Sequence, residues 1–101
     1  MKVDYSKRFE KEVRKQSGKV LESILTVIHE VKNANTLDEI SNCKKLKTLN
    51  NIYRISIGDL RAFFIFHIKI EAGHVYFLSL LSRGQAYNKK NIQSLKKSDS
   101  D

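Results

Sequence analysis

The chain has a single cysteine, Cys43, so no internal disulfide can form, and no second cysteine or closely spaced histidine stands beside it to complete a metal cage. A neutral, partly buried thiol in a reducing compartment is the expectation. No stretch approaches the roughly 18 apolar residues that cross a bilayer, and the opening Met1-Lys2-Val3-Asp4-Tyr5 turns polar at once, without the apolar centre of a secretory signal. A cytoplasmic protein with no membrane partner is therefore expected. Internal repeats and low-complexity tracts are absent, and 101 residues leave no room for a separate cofactor domain, so neither a cofactor nor a metal is expected. Acidic residues are scarce: eleven Asp and Glu face nineteen Lys and Arg, a formal charge of +8. That balance suits a polyanionic partner, either nucleic acid or an acidic protein segment.

The content is 41% hydrophobic and 9% aromatic, enough for a globular core and unlike a disordered chain. The aromatics crowd into residues 53 to 87, so the C-terminal half should carry a sheet. We read one domain over residues 1–97 and a flexible tail over 98–101. Residues 2 to 5 suit a short strand. Ser6 is placed to cap a charged helix whose Phe9 and Val13 share a face, and Gly18 should end it. From Lys19 to about Asn33, Val20, Leu21, Ile24, Leu25, Val27, Ile28 and Val31 recur at helical spacing, a broad stripe that needs the sheet as its partner. Thr36-Leu37-Asp38-Glu39 has the form of a capping box and predicts one or two helical turns. Residues 88 to 97 suit a last polar helix around Ile92 and Leu95.

From Ile52 the hydrophobic period changes to two, predicting strands near 52–57, 60–70 and 74–82. Gly58-Asp59 suits a two-residue type II′ turn, which pairs Ile57 with Leu60, Ser56 with Arg61, Ile55 with Ala62 and Arg54 with Phe63. Glu71-Ala72-Gly73 suits a three-residue loop, which would set Ile70 opposite His74, Phe66 opposite Leu78, Phe64 opposite Leu80 and Arg61 opposite Arg83. The helix-covered face would then carry Tyr53, Ile55, Phe64, Phe66, Tyr76, Leu78 and Leu80. Two arginines directly opposite each other repel, a cost that a bound phosphate would offset and that splaying into water at the sheet edge would also relieve.

The candidate site residues are Lys44, Lys45 and Lys47 ahead of the first hairpin strand, then Arg54, Arg61, Arg83 and Tyr87. A nuclease that works without a metal needs cations around the scissile phosphate, a group to take the 2′-hydroxyl proton and a group to protonate the leaving oxygen. Lys, Arg and Tyr side chains can supply all three. Taken singly, each is more often a solvated surface charge or a sheet-edge aromatic. His67 falls on the arginine face but too far along the strand from Arg61 to share a phosphate; His29 reads as helix surface and His74 as a turn residue.

Taken in order, Lys45-Leu46-Lys47, then Tyr53-Arg54-Ile55-Ser56-Ile57-Gly58-Asp59-Leu60-Arg61, then Ser82-Arg83 with Tyr87, the sequence resembles the RelE/ParE toxin superfamily. The resemblance covers nearly the whole chain, since Val3-Asp4-Tyr5-Ser6-Lys7-Arg8-Phe9-Glu10-Lys11 also looks like that family's strand-into-helix opening. It implies an α+β fold, RelE/ParE-like, with a short N-terminal strand and two main helices packed on a C-terminal antiparallel sheet. It also implies the toxin of a type II toxin–antitoxin module, wrapped by a cognate antitoxin into a hetero-oligomer. By the same resemblance Lys45, Lys47, Arg61, Arg83 and Tyr87 would be catalytic, with Lys44 and Arg54 binding RNA. Thr48 stands where the family commonly has glycine, Leu60 where tyrosine is frequent, and Leu81-Ser82 lacks the histidine some relatives place before the last arginine, which leaves acid–base work to Lys and Tyr.

Three functions fit this pattern. The RelE branch implies an endoribonuclease acting on mRNA at the ribosome; the ParE branch implies a non-enzymatic inhibitor of DNA gyrase; a basic RNA-binding domain without chemistry would use the same charge. The set Lys45, Lys47, Arg61, Arg83 and Tyr87 favours the nuclease, because a pure protein-binding module has no use for a phosphate pocket with a tyrosine beside it. An ordinary lysine titrates near about 10.4 and is a poor base at pH 7, so proton transfer by lysine would need crowding by other cations, which a cluster of Lys44, Lys45, Lys47 and Arg54 would provide.

Overall fold

The computed structural model describes residues 1–67 and 73–100. Its elements run β1 (Lys2–Tyr5), α1 (Lys7–Arg14), α2 (Gly18–Asn33), β2 (Cys43–Lys45), β3 (Ile52–Ile57), β4 (Leu60–His67), β5 (His74–Ser82) and α3 (Lys89–Ser100), with one 3₁₀ turn at Leu37–Glu39. The strands form one sheet in the order β1-β5-β4-β3-β2. It is an α+β fold, but the sheet is mixed: β1 runs parallel to β5, while the other pairings are antiparallel.

Ser6 does the work its position suggests. Its Oγ accepts from the Phe9 N–H at 3.0 Å, closing the first turn of α1, and donates to the Leu78 carbonyl at 2.8 Å, tying that turn to β5. Phe9 is thereby delivered between Tyr5 and Phe77, with ring centroids 5.9 and 4.7 Å away. α1 ends at Arg14, before Gly18, because the Lys15 and Gln16 N–H groups turn back onto the Glu12 and Val13 carbonyls. Gly18 instead opens α2, and its φ of +58° makes the sharp change of direction between the two helices. At Thr36 the capping box closes only one turn: the Glu39 carboxylate accepts from the Asn35 and Thr36 N–H groups at 2.7 and 2.8 Å, and these bonds hold its pKa below the usual carboxylate value.

One core lies between the helices and the sheet, built from Phe9, Ile24, Ile28 and Val31 against Ile55, Ile57, Ala62, Phe64, Val75, Phe77 and Leu80. The helical stripe is narrower than its sequence suggests, since Val20 and Leu25 are 46% and 52% exposed. A second core fills the opposite face, where Leu95 and Ile92 of α3 pack with Leu49, Ile52, Phe63, Ile65 and Ala86. The expected tail over 98–101 is not seen at 98–100. α3 continues to Ser100, and the Asp99 carboxylate accepts from the Asn50 and Asn51 N–H groups, each at 2.8 Å.

The β3–β4 hairpin has the predicted register throughout, from Ile57↔Leu60 to Arg54↔Phe63. Gly58 carries the positive φ at the first central position, as a type II′ turn requires, and Asp59 does not. The β4–β5 register differs from expectation. His74 pairs with His67 and so belongs to a strand; Phe66 pairs with Val75, Phe64 with Phe77, Ala62 with Leu80 and Arg61 with Leu81. The three-residue loop at Glu71-Ala72-Gly73 and the end of the strand expected to reach 70 fall largely on residues 68–72, outside the described residues. Between the Phe64↔Phe77 and Phe63↔Ser79 pairs β5 carries one unmatched residue, Leu78, a β-bulge that exchanges the faces of the strand. Tyr76 and Leu78 therefore join the α3 core, and Val75 and Phe77 take the places expected for them against the helices.

Ser6→Ala removes both bonds of the Oγ at once. We expect it to cost about 1–2 kcal/mol, the upper range for a lost helix cap, measured as a lower urea midpoint with unchanged slope.

Candidate functional site

The sheet face opposite α1 and α2 is only partly covered by α3, and its uncovered end is the end of the β3–β4 hairpin. Cross-strand partners share a face, so Arg54 with Phe63, and Ser56 with Arg61, lie on this side together with Leu81. Lys44 pairs with Arg54 across β2 and β3 and adds a third cation. This is a directly opposed like-charge pair, where the expected Arg61–Arg83 pair is not formed. Arg54 is half-buried and its guanidinium donates to Ser56 Oγ at 2.6 Å.

Arg83 follows β5 and reaches the same end by another route. With Leu81 opposite Arg61, Arg83 stands level with the hairpin turn, and its N–H donates to the Asp59 carbonyl at 2.6 Å. Arg61 folds its guanidinium toward that turn, donating to the Gly58 and Leu60 carbonyls at 2.9 Å each. Both arginines thus gather at the Gly58-Asp59 turn, though not as a cross-strand pair. Two donors of Arg61 face backbone, and a fork of five leaves others for an anion. Neither of the two ion pairs among the described residues, Glu12–Lys15 and Asp4–His74, involves any of these cations.

Tyr87 lies in the turn between β5 and α3. Its ring is 54% exposed and stands edge-on to the buried Phe63, with centroids 6.0 Å apart. Phe63 pairs with Arg54 and is two residues from Arg61 on the same face, so the tyrosine rests on a residue of the arginine face. Nothing in the sequence marks Phe63 as this support, although the predicted Arg54–Phe63 pair carries the information. A second feature beyond the sequence reading is a buried polar link beneath the turn: Ser79 Oγ donates to Asn91 Oδ1 at 3.1 Å, and Asn91 Nδ2 donates to the Ala86 carbonyl at 2.7 Å.

The lysines divide. Lys47 is exposed in the loop before β3. Lys45 pairs with Tyr53, whose ring belongs to the other face, and its ammonium donates to the Leu46 and Leu49 carbonyls of the same loop. It is set apart from the arginine face. Of the histidines, His67 shares the arginine face but lies six residues from Arg61, about 20 Å along a strand. His29 bonds Asn33 on the exposed surface of α2, and His74 bonds Asp4 at 2.7 Å.

Cys43 sits beside Arg54 at the end of the sheet, paired with Ile55, and packs against the helix-side core. Burial pushes its thiol from the ordinary 9.0 to about 11, and the nearby Arg54 charge only partly opposes this.

The fold and this surface define a small α+β domain with a strongly cationic sheet end. No family model matches the chain. Among curated proteins it is 30% identical over 89 residues to Toxin RelE3 of Methanocaldococcus jannaschii, covering 87% of this chain and 97% of that one. Among solved structures, the RelB-RelE antitoxin-toxin complex from Methanococcus jannaschii matches with a TM-score of 0.66 and 26% identity over 83% of this chain and 94% of that one. The archaeal RelE-RelB complex from Pyrococcus horikoshii OT3 matches with a TM-score of 0.65 and 20% identity, over 84% and 97% of the two chains, and supports the fold. The chain belongs to the RelE family of toxins.

The thiol makes a test of the packing around Arg54. Cys43 should react with iodoacetamide at pH 8 much more slowly than a free cysteine. A raised folded pKa favours the neutral folded form, so the contribution is intact below about pH 9 and is lost as pH rises toward about 11. Cys43→Ala should flatten that part of the stability profile.

Proposed function

We propose that this chain is the toxin of a type II toxin–antitoxin module that cuts messenger RNA on the ribosome, with side chains supplying every catalytic group. The observation that carries the reading is the meeting of the Arg61 guanidinium and the Arg83 backbone at the Gly58-Asp59 turn, with the exposed Tyr87 ring standing on Phe63 of the same sheet face. An exposed aromatic ring on the face that carries Arg61, with Arg83 held at the adjoining turn by its backbone, suits a nucleotide and its phosphate together.

In this reading the 2′-oxygen of the bound nucleotide attacks the adjacent phosphorus, the bond to the 5′-oxygen breaks, and a cyclic phosphate and a free 5′-hydroxyl result. Arg61 and Arg83 hold the phosphate and neutralise the charge that grows on its oxygens. Tyr87 stacks on the base, and its hydroxyl oxygen takes the proton of the 2′-hydroxyl as its own proton passes to the leaving 5′-oxygen, so the step neither loses nor gains a proton overall. Lys47, with Lys44 and Arg54, draws the RNA backbone onto the face and adds to charge stabilisation. Lys45, whose ammonium is held by two backbone carbonyls, shapes the loop that carries Lys47. Each donor that strengthens toward the transition state is worth about 3–4 kcal/mol, so this set needs no cofactor to achieve a large acceleration.

The partner in this reading is a cognate antitoxin, since the similar solved structures are RelB–RelE complexes. Its acidic or amphipathic segment would cross the same cationic face. Association with the purified antitoxin should therefore slow by tenfold or more between about 50 mM and 500 mM salt, in stopped-flow measurements. An association rate insensitive to salt would remove the charge component.

The catalytic reading is tested by primer-extension mapping of mRNA cleavage in folded variants. The Arg61→Ala, Arg83→Ala double variant should lose cleavage by at least about 100-fold, and Tyr87→Phe should separate the hydroxyl role from stacking. Undiminished cleavage by the double variant would end the assignment to this site. A wild-type protein that leaves mRNA intact but blocks DNA supercoiling would favour the gyrase reading.

A further inference from the structure

Asn91 is buried completely, in the core formed by Ile52, Phe63, Ile65 and Leu95. An amide in such a place costs stability unless both its ends are matched. Both are matched, and by different parts of the chain: Oδ1 accepts from Ser79 on β5, and Nδ2 donates to the Ala86 carbonyl in the turn. The Ala86 carbonyl belongs to the peptide unit that leads into Tyr87, so the bond fixes the plane from which the tyrosine projects. Asn88 reinforces the arrangement, accepting from the Asn91 N–H at 2.7 Å and donating to Gln85 Oε1 at 3.2 Å.

At the other end of α3, eight residues or about 12 Å away, Asp99 grips a different segment. Its two carboxylate oxygens accept from the N–H groups of Asn50 and Asn51, the last residues of the loop that carries Lys47 into β3. A purely apolar helix could cover this face of the sheet without touching either backbone. α3 instead spends its one fully buried amide and one carboxylate on the two irregular segments that flank the cationic end.

We infer that Asn91 and Asp99 are positioning residues, the first fixing the segment of Arg83 and Tyr87 and the second the Lys47 loop, so that one helix sets the spacing between the two halves of the site. The inference rests on the nuclease reading for its effect on cleavage, but the two local restraints can be measured without it.

The experiment uses the full chain and two independent readouts: amide hydrogen exchange by residue, and kcat and KM for mRNA cleavage. Asn91→Leu keeps the side-chain bulk while removing the amide, and Asp99→Asn keeps the shape while weakening the grip. We expect Asn91→Leu to retain cooperative unfolding, to raise exchange at residues 83–88 at least tenfold with residues 49–51 unchanged, and to lower kcat more than it raises KM. Asp99→Ala should show the reciprocal pattern, faster exchange at 49–51 with 83–88 unchanged, and Asp99→Asn should lie in between. Unchanged exchange at 83–88 in Asn91→Leu, or a uniform rise across the whole protein, would overturn the inference. Should wild-type protein fail to cleave while the two exchange patterns appear as described, the nuclease reading falls and the positioning of the two segments stands.

Discussion

The arrangement of this protein depends on the pairing of β4 with β5 and on the one unmatched residue it contains. β5 is flanked on both sides, by β1 and by β4, and is covered on both faces. Before the bulge, Val75 and Phe77 face α1 and α2; after it, Leu80 does, while Tyr76, Leu78 and Leu81 pack on the opposite side. A strand of strict alternation would place Phe77 and Leu80 on opposite faces and leave Phe9 without half of its enclosure. The same extra residue sets how far β5 runs before it ends, and so brings Arg83 level with the Gly58-Asp59 turn.

What could be read from the sequence follows the range over which each signal acts. The Gly58-Asp59 hairpin was legible to the residue because the turn chemistry and the register are specified by the same two positions. Ser6 and the span of α2 were legible for the same local reason. The β4–β5 register was not, because a bulge has no signature in a run such as Phe77-Leu78-Ser79-Leu80-Leu81, where every position suits either face. The bulge is what carries Tyr76 and Leu78 into the α3 core; Arg61 stands opposite Leu81 rather than Arg83 for a second reason, the partner of His74 being His67 instead of Ile70, a slip of three residues that the bulge reduces to two. Arg61 and Arg83 are not a ladder pair; what they share is the Gly58-Asp59 turn, met by the Arg61 guanidinium and by the Arg83 backbone. Asn91 was invisible as a buried residue, since the polar sequence Lys89-Lys90-Asn91 gives no reason to expect the third member in a core.

The cationic end also follows from incomplete coverage. α3 contributes only Leu95 and Ile92 to the apolar packing of its face, enough to shield Ile52, Phe63 and Ile65. Beyond them, Lys44, Arg54 and Arg61 stand on neighbouring strands, outside the two ion pairs of the described residues, and like charges at such spacing repel at a cost to the folded state. On the nuclease reading, an anion bound there would relieve that cost and couple ligand binding to stability. The half-buried Arg54, bonded to Ser56, holds its charge close to low-dielectric packing, where the attraction to an anion is strongest.

The parallel pairing of β1 with β5 has a consequence for how the molecule comes into being. β1 lies at the edge of the sheet, and its one strand neighbour begins at His74, so the opening strand of the chain waits on the closing one. During synthesis, which proceeds from the N-terminus, α1 and α2 are made first, but Phe9 has no Phe77 to stack on and Ser6 no Leu78 carbonyl to hold until most of the chain exists. Pairing at such long sequence separation is slow to close. The cationic end, which requires β5 to be seated before Arg83 meets the turn, is therefore among the last parts of the molecule to be assembled, and a nascent chain carries its arginines without the geometry that brings them together.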